Sequence, residues 1–144
     1  MASSAHQWLL LWAARRMAAD GFLLGGFEAP ARQAGFWNSL PIPFELGGVR
    51  PDAWGIRAQD SLMAFAEVKT TGDVETNHTR QQLRVFGYTN MREGSVRCPV
   101  YVAVPLSAQR RLDRVLDGLG LLRARHVVRL HIPDVLLREP QHVR

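Results

Sequence analysis

Two runs of strand-forming residues, 49–57 and 62–69, are separated only by Ala58-Gln59-Asp60-Ser61, a spacing that predicts a β-hairpin. The register of that hairpin governs what its side chains can do together, because a slip of one residue turns each of them to the other face. A two-residue turn at Gln59-Asp60 sets Ala58 opposite Ser61 and, counting outward, Asp52 opposite Glu67. Directly opposed residues share a face, with Cβ atoms about 5 Å apart. Lys69 lies two positions beyond Glu67 and so points the same way. The hairpin is therefore expected to gather two acids and one ammonium into a single patch.

The rest of the chain supplies elements to cover such a hairpin. Residues 4–19 repeat Trp8, Leu9, Trp12, Ala13 and Met17 at helical spacing behind a capping serine, and Asp20-Gly21 ends them. Residues 22–27 predict a short strand. Residues 29–43, with three prolines and the aromatics Phe36 and Trp37, predict an irregular loop that can act as a flap. Residues 77–92 predict a second helix with Leu83, Phe86, Gly87 and Asn90 on one face. Residues 96–104 form a near-continuous apolar run suited to a strand buried on both faces. A third helix over 107–117, capped by Ser107, and a last strand over 126–132 precede a polar tail. The expectation is an α/β fold in one domain spanning 1–144, with a mixed central sheet flanked by helices.

At 47% apolar and 22% charged, the chain has the composition of a folded domain rather than a disordered one. Cys98 is its sole cysteine, which excludes an intramolecular disulfide and a cysteine-based zinc site. The apolar run 8–14 is too short to span a bilayer and lacks a charged leader, so a soluble, cytoplasmic protein with no membrane partner is expected. The formal charge of +5 suits a polyanionic partner, although a compositional preference for arginine accounts for it equally well. Every basic residue but one is arginine, and the exception is Lys69. A compact ammonium can change its protonation state and approach a reacting oxygen as a point charge, which a guanidinium cannot do.

Two carboxylates held about 5 Å apart repel each other, and a hard divalent cation would offset this better than Lys69 alone. Such an ion is suited to phosphodiester hydrolysis, with the lysine serving the attacking water.

Arg50-Pro51-Asp52, fourteen intervening residues, then Glu67-Val68-Lys69 resembles the PD-(D/E)XK nuclease superfamily. The resemblance covers roughly residues 4–105. It implies a restriction-endonuclease-like core of helix, three strands, helix and strand, the order read above. It also implies Mg²⁺ or Mn²⁺ held by Asp52, Glu67 and the carbonyl of Val68, with DNA as the substrate. Gln82 resembles the glutamine of a further element on the helix after the lysine, although Phe86 stands where a tyrosine is usual and Gln81 fits as well. Some members use an acid from the first helix. This helix has no Glu, and Glu28 or Glu45 would have to substitute.

Arg50, Arg57, Arg80, Arg84 and His78 are the candidate nucleic-acid contacts, of the kind that grip phosphates without reading sequence. The five histidines, His6, His78, His126, His131 and His142, show no metal-ligand spacing, and Gly25-Gly26 and Gly47-Gly48 lack a phosphate-loop pattern. The expected activity is a structure-specific or accessory endonuclease, with Asp52, Glu67, Lys69 and Gln82 catalytic. A homodimer is expected if both strands of a duplex are cut. Two alternatives stand beside it: a nuclease-like fold that binds DNA or protein without cutting, and an interaction protein using Trp8, Trp12, Phe36 and Trp37 as its contact surface.

Overall fold

A computed structural model describes residues 3–28, 34–92 and 96–138. The order is α1 (Ser4–Ala19), β1 (Phe22–Phe27), β2 (Ala53–Arg57), β3 (Leu62–Val68), α2 (Asn77–Gly87), β4 (Val100–Pro105), α3 (Gln109–Gly118) and β5 (Val127–Ile132). The five strands form one mixed sheet in the order of the chain. β1, β2 and β3 are an antiparallel meander, while β4 and β5 run parallel to β3 and are reached through α2 and α3. Among the described residues no helix is long and apolar enough to cross a membrane.

The hairpin register is the expected one. Ala53 pairs with Ala66, Trp54 with Phe65 and Arg57 with Leu62, so one further step places Asp52 opposite Glu67. The connection is closed by side chains. Asp60 accepts the Leu62 N–H and is gripped by Arg57, with Nη2 at 2.7 Å, while Ser61 adopts a positive φ of 57°.

Toward α1 the strands present Ala53, Ala64, Ala66 and Ala103 among the larger Phe22, Leu24, Phe27, Val68 and Tyr101, and the helix packs on this surface with Leu9, Leu10, Leu11, Ala13 and Met17. Toward α2 and α3 the strands present Phe65, Val100, Val102 and Val104, which meet Leu83, Phe86, Leu112, Val115 and Leu116. All six residues of β4 are buried, as expected for a strand covered on both sides. Ser3 caps α1 by accepting the His6 N–H, and Asp20 closes its other end with Gly21 at φ 93°.

Several boundaries depart from expectation. The first strand of the hairpin begins at Ala53, because Gly47 and Gly48, both at positive φ, fold residues 46–49 into a tight turn of their own. α2 stops at Gly87, where a Cβ would stand 2.4 Å from Leu121, and Asn90 lies exposed beyond it. β4 begins at Val100, and Val96 is exposed. Ser107 does not cap α3 directly. It sits in a 3-10 turn, Leu106–Ala108, and is bonded through N–H and hydroxyl to Asp134. Trp8, Trp12 and Trp37 pack against the core, leaving Phe36 the exposed member of the proposed aromatic contact surface. Residues 29–33 of the expected flap and His142 lie outside the described residues.

The alanine face sets the distance at which α1 rests on the sheet. Ala66→Leu or Ala103→Leu forces a bulky side chain under the helix and is expected to cost about 1–3 kcal/mol or more. Urea denaturation of the variants measures this. A cost below about 0.5 kcal/mol would show that α1 can ride over the larger residue.

Candidate active site

Strand ends deliver the acids. Glu28 follows β1, Asp52 precedes β2, and Glu67, Val68 and Lys69 stand at the end of β3, so all lie at one end of the sheet. Backbone bonds hold them there. The Glu28 N–H donates to the Asp52 carbonyl at 2.8 Å, and the Lys69 N–H donates to Ala103 at 3.0 Å. Asp52 Oδ2 accepts the Val68 N–H at 2.8 Å, extending the hairpin ladder through a side chain.

These residues line a cleft of about 410 Å³. Asp52 and Glu67 line it as buried acids and Glu28 as an exposed one, one wall is the segment 48–51, and α2 contributes His78 and Gln82. α1 adds His6, whose Nε2 lies 3.9 Å from Asp52 Oδ1. Lys69 Nζ is 3.2 Å from Glu67 Oε1. One ligand atom each from His6, Glu28 and Asp52 falls within 4.8 Å of the others, a grouping that could hold a metal ion.

The site is costly to bury. Asp52 and Glu67 are 6% and 1% exposed. Burial, then the charge of Glu67, holds the Asp52 carboxyl well above the usual carboxylate range. A hydrogen bond with Asp52 holds Glu28 below its ordinary value, against the opposing effect of burial. Burial raises Glu67 to about 7 against the opposing pull of Lys69. Burial likewise lowers His6, against the attraction of Glu28. Two buried acceptors, Glu67 Oε2 and Gln82 Oε1, have no hydrogen-bond partner. Buried polar atoms are seldom left so. Their lining a cleft with four acids (Glu28, Asp52, Glu67 and Asp73) and two histidines fits a divalent cation with oxygen and nitrogen ligands.

Of the residues expected from sequence, Asp52, Glu67, Val68, Lys69, Gln82, Arg50 and His78 all line the cleft. Gln82 is buried there whereas Gln81 is exposed, which separates the two candidates. Arg57 does not belong. It lies five residues along β2 at the turn, about 16 Å away at the rise of a strand, where it pairs with Asp60 and covers Phe22. Arg80 and Arg84 lie on α2 outside the cleft, and Arg80 is engaged with the Glu75 carbonyl. Glu45 is exposed and ion-paired with Arg50 at 3.7 Å. Sequence spacing gave no sign of His6. Its position one turn inside the Ser3 cap is informative only once the start of α1 is known to overhang the ends of β1 and β2.

Comparison of the chain with family models, with characterised proteins and with solved structures gives no match.

The buried acids make the metal-free protein sensitive to pH in a defined direction. Glu67 has an ordinary value of 4.5 and a folded value of about 7. Its protonated form is therefore favoured by folding. The resulting stabilisation is complete below about pH 4.5 and is lost as the pH rises through about 7. In EDTA, the stability of wild type relative to Glu67→Gln should fall by a few kcal/mol between about pH 5 and pH 8. Denaturant titrations across that range test this, and parallel curves for the two proteins would place the sensitivity elsewhere.

Proposed function

We propose that this chain is a divalent-metal-dependent nuclease of the PD-(D/E)XK type that hydrolyses phosphodiester bonds in DNA. The observation that carries this reading is the convergence of Asp52, Glu67 and Lys69 on one cleft at the end of the hairpin. The α/β order of helix, antiparallel meander, helix and parallel strand supports a restriction-endonuclease-like core. The partnerless oxygens at the site support a bound cation.

Asp52, Glu67 and the Val68 carbonyl are the ligands the motif implies, and His6 and Glu28 stand close enough to Asp52 to complete the set. A bound Mg²⁺ or Mn²⁺ would polarise the phosphoryl group and make water a better nucleophile at neutral pH. The protein's own residues do the rest. Lys69, paired with Glu67, orients the attacking water and stabilises charge growing on the phosphate oxygens. Gln82, buried with a free carbonyl oxygen, is placed to accept a hydrogen bond from that water. Arg50 at the rim is placed to neutralise a flanking phosphate, and His78 to hydrogen-bond one.

Incubation with plasmid, linear and branched DNA in Mg²⁺, Mn²⁺ or EDTA tests the reading. Cleavage should stop in EDTA and fall by about 10²–10⁴-fold in Lys69→Ala. Activity that survives both would remove the mechanism. Metal binding without cleavage of any DNA would favour a binding module on the same fold.

The ligand set has its own check. His6→Ala and Glu28→Ala should each weaken Mn²⁺ binding roughly 10–100-fold by calorimetry. Unchanged affinity in both would confine the metal to the hairpin residues.

A further inference from the structure

The helix that forms one wall of the cleft presents an outer face free of acid. α2 contains no acidic residue, and its exposed positions include His78, Gln81 and Arg84, with Tyr88 as its C-cap. The arginines that neighbour it on α3 are in part compensated. On α3, Arg114 pairs with Glu75 at 2.8 Å, Arg111 approaches the same carboxylate at 3.9 Å, and Asp113 takes Arg129 at 2.7 Å. Among the described residues, no carboxylate pairs with Arg84 or Arg97.

Arg97 is held at the far end of this face. Its Nη1 donates to the Tyr88 carbonyl at 2.8 Å, and its guanidinium carbon sits 5.1 Å from the centre of the Tyr88 ring. The Tyr88 hydroxyl is anchored to the Leu119 carbonyl, yet the residue remains 44% exposed. The result is a fixed, partly open aromatic–guanidinium stack, about 15 Å along the helix from His78 at the cleft.

We propose that the outer face of α2, from His78 through Arg84 to the Tyr88–Arg97 stack, is a track for a single strand of nucleic acid running from the cleft. Arg84 binds a phosphate, and an unpaired base stacks at Tyr88–Arg97. The assignment rests on the nuclease reading and narrows its substrate to nucleic acid with a single-stranded flank. Two features favour a single strand over a duplex. An exposed aromatic plane backed by an arginine is a platform for an unpaired base, whose faces are covered by stacking in a duplex. The charges without a carboxylate partner beside the stack are also few, Arg84 and Arg97, which suits the phosphates of one strand, and Arg111 and Arg114 of α3 are already engaged by Glu75.

Fluorescence anisotropy with a labelled oligo-dT 12-mer and a duplex of equal length, using the full chain in EDTA at several salt concentrations, tests the track. Wild type should bind oligo-dT more tightly than duplex. Arg84→Ala and Arg97→Ala should each weaken oligo-dT binding roughly fivefold, and Arg84→Ala should lower the salt slope by about 0.7, the contribution of one single-strand phosphate. Arg97→Lys should keep the salt slope and lose affinity, because an ammonium does not stack as a plane. Arg15→Ala, on α1, is the control and should change nothing. Equal binding by wild type and both alanine variants would overturn the track, as would tighter binding to duplex. Metal-dependent cleavage of DNA retained in that case would leave the nuclease reading standing. Failure of wild type to bind either DNA or to cleave it would overturn both.

Discussion

At one end of the sheet, two carboxylates are carried into the interior on neighbouring strands and kept there by backbone pairing rather than by any attraction between them. Asp52 and Glu67 are opposed because Ala53 is paired with Ala66, and the Asp52 side chain continues the ladder by accepting the Val68 N–H. The cost of that arrangement shows in the raised proton affinities of both acids. Lys69 offsets part of it from one side, and the hydrogen bond between Asp52 and Glu28 ties the second acid to a neighbour on the other. Everything else in the fold can be read as what keeps this pair from separating. α1 locks the alanine face of the sheet, and α2 and α3 close the other. β4, buried throughout, fixes the end of β3 through the bond from the Lys69 N–H to Ala103.

Such a pair is poorly suited to a purely structural role. Replacing buried ionisable groups by apolar residues of similar volume is often neutral or stabilising. Here the acids line an open cleft beside a lysine, a histidine and an amide with a partnerless carbonyl oxygen. Strongly shifted carboxylates gathered in a cleft are the electrostatic signature of a functional site.

Much of this was legible in the sequence, for a specific reason. A hairpin with a short connection leaves few registers, and alternation fixes the face, so Asp52, Glu67 and Lys69 could be placed together from spacing alone. The apolar run of β4 and the capped start of α1 were equally plain. Residues whose role depends on tertiary geometry were not. His6 reaches the cleft because the first turn of α1 overhangs the sheet end, and Glu28 does so because β1 stops level with the start of β2. Neither relation has a local signal. Arg57 was misplaced by the converse error. It belongs to the hairpin, yet strand length carries it to the opposite end, where the turn engages it with Asp60. Boundaries slipped where one glycine had a tertiary reason to be there, as at Gly87 against Leu121.

The two walls of the cleft divide the work along the same lines. The 48–51 segment and the strand ends form a rigid base whose charges are fixed by backbone hydrogen bonds, which suits chemistry that tolerates little displacement. α2 plays two parts because a helix shows different faces at each turn. Gln82, with Leu83 and Phe86, is turned inward and stabilised by packing, while His78, Arg84 and Tyr88 are turned outward. A single helix thus joins the interior of the site to an acid-free surface. On the proposed function, its inner face would position groups at the reacting centre and its outer face would offer Arg84 and an aromatic stack to the chain that leads away. The strand ends carry acids, and α2 carries arginine and no acid. A phosphodiester strand laid along the helix therefore meets attraction outside the cleft and repulsion within it, unless a cation has first neutralised the acids. On this electrostatic layout, metal binding and substrate entry would be coupled, with the ion a condition for the reacting phosphate to approach Asp52 and Glu67 at all.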